Sequence, residues 1–312
     1  MAGGPLPDVV VVGAAARDLT PDDPRGWRLG GGVSYSALTT ARLGLRTAAL
    51  VGVDGPAAGA EELDLLRDAG VDVHLVPLEH GPVFDNQERP EGRLQLCHDR
   101  SDPLPVEALP AGWREVRGWI LAPVAVELPD GWAAVPHEAA TVALGWQGLL
   151  RELVPGEPVR PLAPSAHPIV RRADLVGLSG DDVDRADRLL DVYAALRPGA
   201  TLAVTQGDRG GLIADGVEGG RLRLRHYPAV RSSGPVDPTG AGDVFLAALA
   251  AARIEPRLVG GRIAQGFDVL LAAAAASLVV EGAGLHGVPG RDAVRRRMTE
   301  GMASRPTRTA GA

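Results

Sequence analysis

Short apolar runs of β-branched and aliphatic residues alternate, along most of this chain, with longer segments whose apolar residues recur at helical spacing. Runs of the first kind predict buried strands, and they cover residues 8–12, 47–53, 71–76, 118–123, 141–144, 173–178 and 201–205. Segments of the second kind predict helices, and they cover residues 33–43, 60–69, 181–196, 262–280 and 291–302. Because strands and helices alternate, we predict an α/β fold with a doubly wound, mainly parallel central sheet flanked by helices.

Residues 82–86 and 92–97 break this alternation. In each of them apolar and polar residues alternate, and a polar turn joins the two, so they predict a β-hairpin that projects from the main sheet. Residues 212–214 and 221–227 predict two edge strands. No internal repeat or strong linker interrupts the chain, and we therefore expect residues 1–312 to form a single domain.

Composition limits the partners and the compartment. The formal net charge of −7 gives no reason to expect binding to nucleic acid or to an anionic membrane. Cys97 is the only cysteine, so an intramolecular disulfide is impossible and a reducing compartment fits. No apolar run reaches the length of about 18 residues that a membrane helix needs. The first residues carry no basic segment, and we expect a cytoplasmic protein.

All 32 basic residues are arginines, because the chain contains no lysine. A Walker A loop, the ATP site of protein kinases and Schiff-base chemistry all require a lysine, so these classes are excluded. The dinucleotide-binding glycine fingerprint is also absent after the first strand, where the sequence reads Gly-Ala-Ala-Ala-Arg-Asp. If this protein handles phosphate groups, it must use backbone amides, Mg2+ and arginine.

The segment 236–245 carries the most specific pattern in the chain. Small residues precede an apolar run rich in Ala and Leu, which predicts a loop that leads directly into a helix. The uncovered N–H groups of Gly240, Ala241 and Gly242, together with the helix dipole, favour an anion such as a phosphate. Asp243 in the same turn could take a proton from an incoming hydroxyl. The alternative is an ordinary helix start with an acidic first turn.

Residues 237–245, Asp-Pro-Thr-Gly-Ala-Gly-Asp-Val-Phe, resemble the C-terminal signature of the ribokinase-like carbohydrate kinases, the PfkB family. The resemblance implies an ATP-dependent phosphotransferase. It implies that Asp243 is the base that activates the acceptor hydroxyl. It also implies that the backbone of Gly240, Ala241 and Gly242 forms the anion hole for the transferred phosphoryl group.

The N-terminal part of the chain matches the same family in part. Asp18 follows the first strand, in a predicted loop, where the family places a sugar-binding aspartate; the alternative is a solvated loop residue. Gly31 and Gly32 precede the helix at 33–43 and resemble the family's Gly-Gly signature, where bare backbone lets a substrate approach closely. Ser36 stands where many members have asparagine, which leaves the acceptor open.

The resemblance further implies a small β-lid over the acceptor, formed here by segments at about 15–30 and 82–98. Closure of such a lid would exclude water, which otherwise competes as phosphoryl acceptor. Asn86, Arg93 and Gln95 are the polar candidates on the lid face, and each could instead be solvated.

The donor side of the site is represented by two short motifs. Ser179 and Asp182 stand where the family usually has Asn-x-x-Glu, which helps to hold Mg2+; oxygen ligands suit this cation, and the alternative is a serine cap on the next helix. The segment 205–211 resembles the family's nucleotide-binding Thr-x-Gly-x-x-Gly. The nucleotide-binding residues implied are Ser179, Thr205, Gly207, Gly210 and Thr239, and the implied metal-binding residue is Asp182.

Two candidates come from the sheet rather than from a motif. Glu127 lies beyond the strand at 118–123 and Gln147 follows the strand at 141–144. In open α/β sheets ligands gather at the C-terminal ends of strands, so we expect both residues to contact the acceptor. By the same reasoning the nearby Arg151 is a further candidate for the pocket, and Gln147 and Arg151 could equally begin and stabilise a surface helix.

We therefore expect phosphorylation of a hydroxyl on a sugar, a polyol or cyclitol, or a nucleoside, with ATP, Mg2+ and, as a further candidate cofactor, a monovalent cation. One alternative is a dedicated nucleoside kinase. Another is a non-catalytic sugar- or nucleotide-binding paralogue. The altered residues at 179 and 182 favour it, as does Ala273, where many relatives have an asparagine near the adenosine, whereas the intact Asp243 disfavours it. A weaker one is an oxidoreductase on a similar sheet. Edge strands of the lid would allow a homodimer.

Overall fold

The computed structural model describes residues 6–89, 92–183 and 189–303. Within these ranges the strands are β1 (Val9–Ala14), β2 (Ala16–Leu19), β3 (Trp27–Gly30), β4 (Thr47–Val53), β5 (Asp72–Pro77), β6 (Val83–Arg89), β7 (Gly92–Asp99), β8 (Gly118–Leu121), β9 (Thr141–Gly145), β10 (Arg151–Glu152), β11 (Arg160–Pro161), β12 (Leu175–Ser179), β13 (Thr201–Thr205), β14 (Gly211–Glu218) and β15 (Arg221–Tyr227). The helices are α1 (Gly32–Leu43), α2 (Gly55–Ala58), α3 (Glu62–Asp68), α4 (Pro168–Arg172), α5 (Gly180–Val183), α6 (Leu189–Ala194), α7 (Ala241–Ile254), α8 (Phe267–Val279) and α9 (Arg291–Ala303).

The central sheet has nine strands in the order β15-β14-β13-β12-β9-β8-β1-β4-β5. Neighbouring strands are parallel, except that β14 runs antiparallel to both of its neighbours. The predicted doubly wound, mainly parallel sheet is confirmed. The chain moves outward from β1 through β4 to β5 and then returns to the other side of β1 with β8. This reversal creates a crevice at the C-terminal end of β1, where open α/β sheets bind their ligands.

Both faces of the central sheet are covered. In β1, Val9 and Val11 belong to one buried cluster, with residues of α1, α7 and α8, whereas Val10 and Val12 belong to a second cluster on the opposite face. Burial on both faces explains why the parallel strands have nearly continuous apolar sequences. The many buried alanines of α7 and α8 allow these helices to pack closely against each other.

A second sheet of four strands, in the order β3-β2-β6-β7, is formed by the two segments that were predicted to build the lid. Strands β6 and β7 form the predicted antiparallel hairpin. The prediction that Asp18 lies in a loop is wrong, because Asp18 belongs to β2, which pairs with β3 and with β6. The sequence Ala-Arg-Asp-Leu carries no strong strand pattern, and its partners in the sheet determine its conformation.

Two predicted helices have different bounds in the structure. Helix α8 begins at Phe267 rather than at residue 262, since Gly260, Gly261 and Gly266 adopt positive φ angles of 61°, 73° and 78°. The predicted helix 181–196 is represented by α5 and α6, and residues 184–188 between them lie outside the described part. In the described ranges, every helix is too short or too polar to span a bilayer.

Candidate active site

The start of α7 presents an open helix N-terminus to the crevice. Gly240 precedes the helix with φ 76°, and a Cβ at this position would lie 2.4 Å from the ring of Tyr35, so only glycine fits. No side chain caps the helix. The N–H of Ala241 donates to the carbonyl of Pro238 at 3.3 Å, and Gly242 is exposed with open space around its Cα. The Ala241 N–H, which was expected to be uncovered, is thus already bonded, whereas exposed Gly242 and the positive end of the helix dipole face the crevice and favour an anion there.

Asp243 lies in the first turn of α7 and is half-buried. Its carboxylate contacts the backbone at the start of α1, since a Cβ on Gly32 would lie 2.8 Å from Asp243 Oδ1. Burial raises the pKa of Asp243 to about 6, and the positive charge of Arg151 opposes this rise. A carboxylate with a pKa near neutrality is ionised at pH 7 and is still basic enough to accept a proton from a hydroxyl.

Close packing requires the glycines at the start of α1, Gly31 and Gly32. Gly31 has φ 90°, and a Cβ there would lie 2.7 Å from the carbonyl oxygen of Ala14 and 2.9 Å from the nitrogen of Ala16. Gly32 is similarly enclosed by Ala122 and by the carboxylate of Asp243. The starts of α1 and α7 therefore meet at Asp243.

On the lid side, three polar residues form a hydrogen-bonded chain. Gln95 donates to Asn86 Oδ1 at 2.8 Å, and Asn86 donates to Asp18 Oδ1 at 3.1 Å. The other carboxylate oxygen of Asp18 lies against the backbone of Gly30, where a Cβ would come within 2.4 Å of it. These contacts fix the orientation of Asp18, whose carboxylate can accept hydrogen bonds from acceptor hydroxyls.

On the opposite side, Asp182 is buried beside the end of β12. Its Oδ2 accepts hydrogen bonds from the Ser179 hydroxyl at 2.5 Å, the Ser179 N–H at 3.1 Å and Gln147 Nε2 at 3.3 Å. Among the described residues, no group of three or more His, Cys, Asp or Glu side chains could hold a metal ion. Mg2+ commonly binds through one carboxylate together with phosphate oxygens and water, and Asp182 with Ser179 fits that mode.

A cavity of about 490 Å³ joins these two sides. The predicted site residues that line it are Asp18, Gly31, Gly32, Asn86, Gln147, Ser179, Asp182, Thr205, Thr239, Gly240, Ala241, Gly242 and Asp243. Sequence reasoning did not single out Tyr35 and Phe84, which also line it, because large apolar side chains at these positions are equally typical of a core.

Four predicted site residues whose side chains are described do not line this cavity. Ser36 is buried within α1, and Gly207 and Gly210 lie in a turn away from the lining. The side chain of Arg93 lies outside the described residues. Glu127 is buried, and its carboxylate oxygens accept hydrogen bonds from backbone N–H groups at 2.7 to 3.1 Å. Its side chain thus holds the ends of β1 and β8 in place and does not face the cavity.

The fold is that of the ribokinase family. A pyrophosphate-dependent kinase of that family, solved with a pyrophosphate analogue and myo-inositol, superposes with a TM-score of 0.71 at 17% identity, over 92% of this chain and 99% of that one. A nucleoside kinase from Methanocaldococcus jannaschii gives 0.64 at 16% identity, over 95% and 100%. Arabidopsis thaliana ribokinase in complex with ribose and ATP gives 0.63 at 18% identity, over 94% and 99%.

The sequence adds a family match to this shared fold. Residues 170–289 match the model of the pfkB family carbohydrate kinases. This match covers the segment that includes α7 and the glycines before it, and it confirms the resemblance to the PfkB family. No curated protein sequence matches the chain.

Proposed function

We propose that this protein is a phosphotransferase that phosphorylates a hydroxyl group of a sugar, a cyclitol or polyol, or a nucleoside. The observation that carries the proposal is the position of Asp243, a half-buried carboxylate with a raised pKa at the open N-terminus of α7. A base and an anion-binding helix start at one point are the two elements that phosphoryl transfer to a hydroxyl requires.

The lining of the cavity favours an uncharged acceptor. Four aspartates, Asp18, Asp181, Asp182 and Asp243, line it, and Arg151 is the one basic residue in the described lining. A phosphorylated or carboxylated acceptor would bring further negative charge into a lining that already has four aspartates and one arginine among the described residues. A neutral compound with several hydroxyls instead offers donors to the carboxylate of Asp18.

In the proposed reaction, Asp18 binds and orients acceptor hydroxyls, and the four-stranded lid excludes water. Asp243 accepts the proton of the reacting hydroxyl as its oxygen attacks the phosphorus of the donor. The N–H groups at the start of α7 stabilise the charge on the transferring phosphoryl group. Mg2+, when bound, would neutralise phosphate charge, and Asp182 with Ser179 would hold it.

ATP is the donor that we propose first, and inorganic pyrophosphate is the second candidate. Two observations support including pyrophosphate. The cavity lining contains the hydroxyl residues Ser179, Thr205 and Thr239, but it does not contain Gly207 and Gly210, which the resemblance assigns to the nucleotide. Pyrophosphate has no nucleoside and does not need these two glycines. In addition, one structural neighbour is described as pyrophosphate-dependent, and others bind ATP or ADP.

The experiment that tests this function is a phosphoryl-transfer assay with both donors against pentoses, hexoses, cyclitols and nucleosides. We expect product with at least one pair and a loss of about 10²-fold or more in Asp243→Asn, because general base catalysis contributes this much. Binding of an acceptor by calorimetry without any transfer would instead identify a non-catalytic paralogue.

A further inference from the structure

Arg151 lines the cavity but does not belong to any of the motifs that carry the family resemblance. It begins the short strand β10, and its guanidinium donates to the carbonyl of Val124 at 2.9 Å and to Gln147 Oε1 at 3.1 Å. The ring of Phe84 lies below it, with 5.5 Å between the Arg151 Cζ and the ring centroid. These three contacts hold the guanidinium in the cavity lining, where its positive charge acts on Asp243.

The charge of Arg151 is not matched by a contacting carboxylate. In the described part of the chain no carboxylate oxygen lies within 4 Å of its guanidinium nitrogens. The acidic residues around it, Asp18, Glu127, Asp182 and Asp243, interact with it through space. The hydrogen bonds to Val124 and Gln147 use two of its five N–H groups.

Gln147 connects Arg151 to the opposite side of the cavity. Its Oε1 accepts from Arg151, and its Nε2 donates to Asp182 Oδ2 at 3.3 Å. The amide orientation is fixed by these two bonds, because only oxygen can accept from a guanidinium and only nitrogen can donate to a carboxylate. Through Gln147 the guanidinium is therefore linked to Asp182, one of the residues proposed to hold Mg2+.

We propose that Arg151 is a catalytic residue that contacts the oxygens of the phosphoryl group while it is transferred. The inference rests on the proposed phosphotransferase function. During transfer, the bond from phosphorus to the donor's bridging oxygen breaks and its electron pair leaves with the donor. A new bond forms to the acceptor oxygen, whose proton passes to Asp243. Negative charge spreads over the three phosphoryl oxygens, and an arginine fork matches them with parallel N–H groups.

The chain contains no lysine, so a full positive charge from a lysine or arginine side chain at this point must come from an arginine. The amides at the start of α7 supply only the partial positive charge of a helix dipole. Four aspartates line the cavity, and an incoming polyphosphate increases the negative charge further. Arg151 is the described residue that can supply a full positive charge at this point.

The test compares Arg151→Gln and Arg151→Lys with the wild type, using the donor and acceptor pair that the phosphoryl-transfer assay identifies. Arg160→Gln is the matched control, because Arg160 lies on the neighbouring strand β11 and is exposed. We expect kcat of Arg151→Gln to fall by about 10²-fold or more, as when a single charge-stabilising donor is removed, with a smaller change in the KM of the acceptor. The acidic limb of the kcat/KM profile should move to higher pH, because Arg151 lowers the pKa of Asp243.

Arg151→Lys keeps the positive charge but loses the parallel N–H groups of the guanidinium. We expect its acidic limb to stay near that of the wild type while kcat remains at least about 10-fold lower. This variant decides the question if Arg151→Gln does not fold, as judged by circular dichroism. A kcat within threefold of the wild type in either folded variant would overturn the proposal. Inactivity of the wild type with every donor and acceptor would count against the proposed function itself.

Discussion

The carboxylate of Asp243, at the start of α7, lies directly against the backbone of Gly32, at the start of α1. A Cβ on Gly32 would come within 2.8 Å of Asp243 Oδ1 and within 3.3 Å of Ala122. The two residues are far apart in the sequence, and their contact places the proposed base where the N-termini of α1 and α7 meet. The Asp243 carboxylate can thus occupy this position only because residue 32 has no side chain.

The first prediction concerns Gly32→Ala. The new methyl group must displace the Asp243 carboxylate, because the other side is closed by Ala122. A misplacement of about 1 Å can cost 10²-fold in rate, so we expect kcat to fall by about 10- to 100-fold while the fold is retained. Steady-state kinetics and circular dichroism measure the two effects. Gly55→Ala is the control, since its Cβ would meet open space; an equal loss in both variants would contradict this account.

The second prediction concerns stability at Gly240. Gly240→Ala combines a positive φ with a methyl group 2.4 Å from the ring of Tyr35. We expect a loss of about 2 to 4 kcal/mol in the free energy of unfolding, as backbone strain and overpacking add. Gly220→Ala has the same φ of 76° with open space around it, and it should lose only the strain, about 1 kcal/mol. Urea unfolding of both variants measures the difference, and equal losses would refute the contact with Tyr35.

The third prediction concerns the acceptor side. Asp18→Ala removes the carboxylate that Asn86 orients and that we propose to bind acceptor hydroxyls. A hydrogen bond to a charged group is worth about 1.5 to 3 kcal/mol, so the KM of the acceptor should rise by about 10- to 100-fold. The KM of the donor should change little. Asp64→Ala, at an exposed site on α3, serves as the control. A rise in the KM of the donor alone would contradict the proposed role of Asp18 in binding the acceptor.

The fourth prediction follows from the pKa of Asp243, which lies at about 6 rather than at its ordinary 3.8. Because the folded state binds this proton more tightly than the unfolded state, ionisation lowers stability as the pH rises from about 4 to 6. Asp243→Asn removes that penalty, which is up to about 3 kcal/mol above pH 6. The gain in unfolding free energy should therefore be larger at pH 8 than at pH 4.5, as measured by urea unfolding. A gain of the same size at both pH values would show that the Asp243 pKa is not raised.

The starts of α1 and α7 could be located from the sequence because each signal is local. Glycines followed at once by an apolar helical pattern mark a helix start wherever it lies in the fold. The alternation of strands and helices likewise predicted the parallel sheet. The contact between Gly32 and Asp243 could not be derived in this way, since it depends on the order of strands in the sheet.

Residues whose role depends on side-chain direction could not be assigned from the sequence. Glu127 and Gln147 both follow strands of the central sheet, yet Gln147 lines the cavity and Glu127 binds backbone N–H groups instead. Nothing in the local pattern separates the two. Asp18 lies in a strand that forms only through pairing with β3 and β6, and this pairing has no local signal in the sequence. The bond from Gln147 to Asp182 joins residues 35 positions apart, and no local signal predicts it.

The turnover number of Asp243→Asn, measured with the best donor and acceptor at pH 8, is the most direct test of the central claim. If Asp243 is the base, kcat falls by about 10²-fold or more, since asparagine cannot accept the proton of the hydroxyl. The variant should remain folded and bind the acceptor, and the exposed control Asp64→Asn should keep the wild-type kcat. A kcat of Asp243→Asn within threefold of the wild type would contradict the role of Asp243 as the base.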